Sequence, residues 1–157
     1  MAHETLTLTR DCPRVPVAPL LRHLGACVDA IQWVGDRDLL AAWQDCERAD
    51  WMLWLAGKMC DQSGWPTRRQ VVLATCACAE RALIYVPLGE ERPRLAIETA
   101  RRWARGDVNV TLARVRAADA ADAAYAYAAY AAYAAAAARK AALREMADLL
   151  RQPQTWR

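Results

Sequence analysis

Thr111–Arg151, TLARVRAADAADAAYAYAAYAAYAAAAARKAALREMADLLR, contains neither glycine nor proline. Alanine, the strongest helix former, makes up about half of it, so the sequence predicts one long helix or two with a bend. At ~1.5 Å per residue an unbroken helix would reach ~60 Å, more than the width of a domain this size. A break, or a projecting end, is therefore favoured.

Helical spacing continues upstream. In Pro93–Gly106 (PRLAIETARRWARG) a first-turn proline starts a helix, Glu90 and Glu91 lie near its positive end, and Arg101, Arg102 and Arg105 gather before the terminating Gly106. Thr67 is placed to cap a helix reaching Val86, with Val72, Cys76, Ala79, Leu83 and Val86 as its buried stripe, and Pro87 and Gly89 end it. Leu39, Leu40, Trp43, Cys46, Ala49, Leu53 and Ala56 recur at three- and four-residue steps, which predicts a second helix, capped by Asp36 and running to about Met59. Leu20, Leu24, Cys27, Val28 and Ile31 predict a first helix from Pro19 to Val34. The only strand-like pieces, Leu6–Thr9 and Val15–Val17, are too short and isolated to build a sheet. The expected fold is all-α: one domain over residues 1–157, a bundle of about five helices with a long alanine-rich C-terminal helix. Residues 1–17 are read as a polar N-terminal segment, 18–151 as the helical core and 152–157 as a short tail.

A chain of 157 residues that is 55% apolar can bury its own core. Arg10, Asp11 and Arg14 interrupt the first twenty residues, so no secretion signal is expected, and the uncharged run from Ala123 to Ala138 is too short and too weakly apolar to span a bilayer. The six cysteines are therefore read as reduced thiols in a cytoplasmic protein. The net charge of +3 gives little general attraction for nucleic acid. Residues 1–61 carry nine acids and six bases while the remainder carries the positive excess, a polarity that suits a protein partner.

No catalytic, cofactor or metal site is expected. Cys76 and Cys78 are two residues apart, about 200° around a helix, so they cannot share one tetrahedral zinc. Cys46 and Cys60 lack a close CxxC partner, and the only histidines are His3 and His23. A thiol enzyme built on His23 and Cys27, one helical turn apart, would lack a third, orienting group. Nucleic-acid binding through Arg68, Arg69, Arg101, Arg102, Arg105, Arg114 and Arg116 is the third reading, and strong salt-dependent DNA retention would be its signature.

Trp43, Trp51 and Trp54, with Met52, Leu53 and Leu55, make the second helix apolar nearly all round, which places it centrally and its tryptophans in the core. Asp50, set among these residues, needs a cationic partner, for which Arg81 and Arg101 are candidates, and Asp45 and Arg48 have ion-pair spacing. Tyr125, Tyr127, Tyr130 and Tyr133 fall at roughly 0°, 200°, 140° and 80° around a helix, too wide a spread for one core stripe. Flanked by Asp119 and Asp122, and with the arginines Arg101, Arg102 and Arg105, they form the candidate partner-binding or self-association surface, a homodimer being the second case.

Three stretches, Ala26–Trp33 (ACVDAIQW), Ala42–Leu55 (AWQDCERADWMLWL) and Pro93–Gly106 ahead of the alanine-rich region, resemble the Imm-5-like immunity proteins. The resemblance implies an all-α neutraliser of a toxin, or a relative carried by phages and mobile elements, with Trp51, Trp54, Ile97, Trp103 and Gly106 as its signature positions. The packing reading gives these residues to the core and a helix end. The expected function is thus a protein-binding inhibitor without enzymatic activity, whose target is a toxin. The alternative is a phage-borne inhibitor of a host defence complex, of the anti-CRISPR kind. The mildly basic charge speaks against mimicry of nucleic acid.

Overall fold

A computed structural model describes residues 15–86, 88–117 and 136–157. Among them the chain is helical, with no named strand. The elements are α1 (Ala18–Leu24), α2 (Val28–Val34), α3 (Leu39–Asp45), α4 (Ala49–Met59), α5 (Arg68–Ala82), α6 (Arg92–Ala104), α7 (residues 112–117) and α8 (Ala136–Leu150). Short 3-10 turns follow α5 at Leu83–Tyr85 and α8 at Pro153–Trp156. No described helix is long and apolar enough to cross a membrane.

The expectation of about five helices is too low because two predicted helices each break into two and the C-terminal region enters as α7 and α8. The first divides at Gly25, whose φ of 80° is left-handed and whose N–H returns to the carbonyl of Arg22, turning the chain before α2 starts. The second divides between Asp45 and Ala49, where Cys46 is extended at ψ 121°. Neither glycine nor proline marks this second break, and the apolar periodicity runs straight across it. The cap of α3 is Asp38, which accepts the Ala41 N–H at 2.8 Å, rather than Asp36. Thr67 caps α5 as expected, in a reciprocal box with Gln70: Thr67 N–H donates to Gln70 Oε1 at 2.8 Å, and Gln70 N–H to Thr67 Oγ1 at 3.3 Å. Helix α5 stops at Ala82 instead of Val86, and its fully buried residues are Ala74, Cys76 and Cys78. In the C-terminal region α7 and α8 are helical, while the residues that would decide continuity between them lie outside the described ones.

Helix α4 is central, as its apolar circumference predicts. Met52 and Ala56 join Trp43, Cys46, Ala74, Cys78, Ala147, Leu150 and Trp156 in one core cluster, while Leu55 and Met59 join Val17, Leu21, Val34 and Ala42 in a second. A third cluster, Cys76, Ala100, Val110 and Val115 with Ile97 and Trp103 against it, seals α5 to α6. Trp43 is buried as expected, but Trp51 and Trp54 are only half-buried. Two terminal boundaries also shift. Val17, assigned to the polar segment, is buried and donates its N–H to the carbonyl of Arg37 at 3.0 Å. The supposed tail contains Trp156, 4% exposed, whose indole N–H donates to Leu150 O at 2.8 Å and whose ring lies 6.2 Å from that of Trp43.

Trp156→Ala removes a buried indole from the largest cluster and should cost about 3–5 kcal/mol in denaturant unfolding, whereas half-exposed Trp54→Ala should cost markedly less. Equal costs would show that the C-terminal turn is not part of the core.

Candidate protein-binding site

The α5–α6 hairpin carries the arginines that the sequence singles out. Helix α6 starts on a first-turn proline, Pro93, and ends where Gly106 takes φ 88°. There the Gly106 and Asp107 N–H groups donate to the carbonyls of Trp103 and Arg102, and the left-handed φ disfavours any side chain; a Cβ on Gly106 would also meet Arg69 Nη1 at 3.1 Å, close enough that the guanidinium would have to shift. The Arg69 guanidinium lies 5.8 Å over the Trp103 ring.

Arg101 and Arg102, in the last turn of α6, each have an intrachain acid. Arg101 donates to Glu80 on α5, and this pair lowers the Glu80 pKa and raises that of Arg101. Arg102 Nε donates to Asp107 Oδ2 at 2.8 Å, and Asp107 is held below the usual carboxylate range first by the Asn109 N–H and then by Arg102. Arg105 is exposed beside them. Arg68 pairs with Asp61 at 3.7 Å. These paired guanidinium groups are fixed within the chain, which leaves fewer of them for a phosphate backbone and shapes the hairpin as a mixed-charge surface. Of the proposed surface only this arginine half can be located. Asp119, Asp122, Tyr125, Tyr127, Tyr130 and Tyr133 lie outside the described residues.

Several expected contacts are replaced. Asp50 pairs with Arg48, not with Arg81 or Arg101: Arg48 Nε donates to Oδ1 at 2.8 Å and Nη2 to Oδ2 at 2.6 Å. Burial pushes the Asp50 pKa up, but this fork outweighs it and the net shift is downward. Arg81 instead faces Glu145 at 3.6 Å, and Asp45 faces Arg37 at 3.5 Å in place of Arg48. Arg81 and Asp45 meet charges from outside their own helices, which linear spacing does not show, whereas Arg48 is the N-cap of the helix that holds Asp50. The break at Gly25 also removes the helical register between His23 and Cys27; both are exposed. Cys76 and Cys78 belong to different core clusters, in accord with their angular separation, and burial raises the Cys78 thiol to about 11. Among the described residues no group of three or more His, Cys, Asp or Glu could hold a metal ion.

The first four helices also form a half-open cavity of about 360 Å³, walled by Trp33, Trp51, Trp54, Leu21, Leu39 and Leu55, of which helical periodicity gives no sign. Its only trace in sequence is the recurrence of tryptophan opposite small residues, Ala26, Ala30 and Ala42, which helical periodicity assigns to core packing.

Residues 65–148, just over half of the chain, match the model of a family described as Imm-5 like putative immunity protein. The chain belongs to the Imm-5-like family. The match takes in α5, α6, α7 and most of α8, and with them Pro93–Gly106, Ile97 and Trp103. The other two stretches that carry the resemblance, Ala26–Trp33 and Ala42–Leu55, fall before it, as does the cavity between the first four helices. No curated protein and no solved structure matches this Imm-5-like chain.

The Glu80–Arg101 pair ties α5 to α6 with a carboxylate whose pKa is lowered on folding from 4.5. Its contribution is therefore complete above about 4.5 and lost as pH falls through the lower folded value. Glu80→Gln should reduce stability at pH 7 by about 0.2–1 kcal/mol, or about 1–3 °C in melting temperature. The gap from wild type should close progressively in acid, and a gap that stays constant to pH 2 would exclude the pair as its source.

Proposed function

We propose that this chain is an immunity protein: a single-domain, non-catalytic inhibitor that neutralises a toxin in the cytoplasm by binding it directly. The observation that carries this reading is the Imm-5-like match across the α5–α6 hairpin and the α8 region. The hairpin supports a protein partner over a nucleic acid, because Arg101 and Arg102 are held by Glu80 and Asp107 and so present charge of both signs. Such a rigid, mixed-charge surface recognises a complementary protein through oriented pairs, and arginine and tyrosine are enriched among interface hot spots. The arginines of α6 with Tyr125, Tyr127, Tyr130 and Tyr133 form the proposed contact surface.

The test is to co-express the chain with the product of the adjacent gene, measure growth, and purify the pair. The expected result is protection from a toxic neighbour and a stable complex. Serine at all four tyrosines should weaken that complex by at least about tenfold while leaving the melting temperature of the free chain unchanged. A complex that forms at full strength with the four serines moves the interface elsewhere, and a chain that neither binds nor protects is not the immunity partner of that toxin.

A further inference from the structure

The cavity between the first four helices is open because of how small and large residues are arranged around it. Ala26 follows the Gly25 turn, Ala30 and Ala42 face inward from α2 and α3, and the tryptophans stand around the space. Trp33 and Trp51 approach to 6.0 Å between ring centroids at an interplanar angle of 59°. Each of the three half-buried indoles is held by a cation: Arg37 lies 5.0 Å from the Trp33 centroid, Arg48 4.4 Å from Trp51, and Lys58 5.7 Å from Trp54. None of these three cations is among the described residues that line the space. The walls are thus aromatic surfaces that each carry a cation contact from a residue outside the lining, which restrains them as a ring-shaped ligand requires.

Charge decides what kind of ring. The single charged lining residue among those described is Asp50, and both of its oxygens accept from the Arg48 fork. A cation entering the cavity would find that carboxylate already paired, and an anion would find no cation among the described lining residues. Either would lose its hydration without gaining a partner. An uncharged ring loses little solvation and gains stacking and dispersion against the indoles. The volume, about 360 Å³, falls at the small end of ligand sites.

We propose that this cavity is a binding site for an uncharged aromatic group of two or three fused rings. The site lies wholly before residue 65, where the family match begins, and does not depend on the toxin-neutralising function. The ring could be supplied by a free small molecule or by an aromatic side chain of another protein, and the two sources are separable by experiment.

Cys27 lines the cavity and is exposed, so its thiol reports occupancy. The full chain is titrated with 2-naphthol, 2-naphthoate and 2-naphthylmethylammonium by calorimetry, and Cys27 alkylation by iodoacetamide is followed by peptide mapping. Naphthol should bind one per chain, at least about tenfold tighter than either charged analogue. At saturation it should slow Cys27 alkylation at least about threefold while Cys60 reacts at its usual rate. Ala26→Trp fills the cavity and should weaken naphthol at least about tenfold; if that variant does not fold, Ala26→Leu applies the same test with a smaller side chain. A blocked Gly-Trp-Gly peptide that competes with naphthol assigns the natural ring to a protein, and a peptide that does not compete assigns it to a small molecule. No saturable binding of naphthol, equal binding of the charged analogues, or unchanged binding in a folded Ala26 variant overturns the proposal.

Discussion

Helix α3 stops at Asp45 and α4 starts at Ala49, so the carbonyls of the last α3 turn have no donors in a continuing helix. Arg151, from the far end of the chain, supplies a donor to one of them and another to the carbonyl of Cys46 just past the helix. Its Nε donates to Trp43 O at 3.2 Å, its Nη2 donates to Cys46 O, and Asp148 accepts Nη1 at 2.6 Å and aligns the guanidinium. A cation at the negative end of a helix is favourable in itself, and here it also satisfies carbonyls beside the buried Cys46. Trp156, a few residues on, then packs against Trp43. The corner between α3 and α4 is thereby fastened to the C-terminus, and α5 and α8 both pack against α4.

That corner serves two surfaces. On one side, Met52 and Ala56 of α4 complete the core against α5 and α8, so the hairpin bearing Arg101, Arg102 and Arg105 has a firm base. On the other, the turn from Cys46 to Asp50 brings Arg48 over Trp51 and onto Asp50, which holds one wall of the cavity. A straight helix from Leu39 to Met59 would bury its tryptophans all round and leave no such space. The Imm-5-like region and the tryptophan-lined half are therefore mechanically continuous through α4, while the chemistry each offers is different: oriented charge pairs on the hairpin, and uncharged aromatic surface between the first four helices.

How much of this is legible in the sequence follows from the range of the interactions. Thr67 with Gln70, Pro93 at the start of α6 and Gly106 at its end are local signals, and each marks its boundary within a residue or two. The angle between Cys76 and Cys78 is likewise a property of one helix, and the two thiols do enter different clusters. The break at Cys46 is not local: no residue there disfavours a helix strongly, and what stabilises the bend is Arg151, over a hundred positions away. For the same reason Trp156 reads as tail. The Asp50 partner is a different case: Arg48 stands only two residues away, and it is the break that makes it the N-cap of α4 and brings it within reach. The cavity is the hardest to foresee, because tryptophans at helical spacing look the same whether they fill a core or surround a space.

The Arg151 cap is tested most directly by the unfolding free energy of Arg151→Met, which keeps the apolar stem and removes the donors. Two hydrogen bonds from a largely buried guanidinium to backbone carbonyls, each worth about 1.5–3 kcal/mol when a charged group is involved, set the expected loss at about 2 kcal/mol or more. A variant as stable as wild type, to within about 0.5 kcal/mol, would show that the corner between α3 and α4 holds without Arg151, and would contradict the claim that this side chain joins the two ends of the fold.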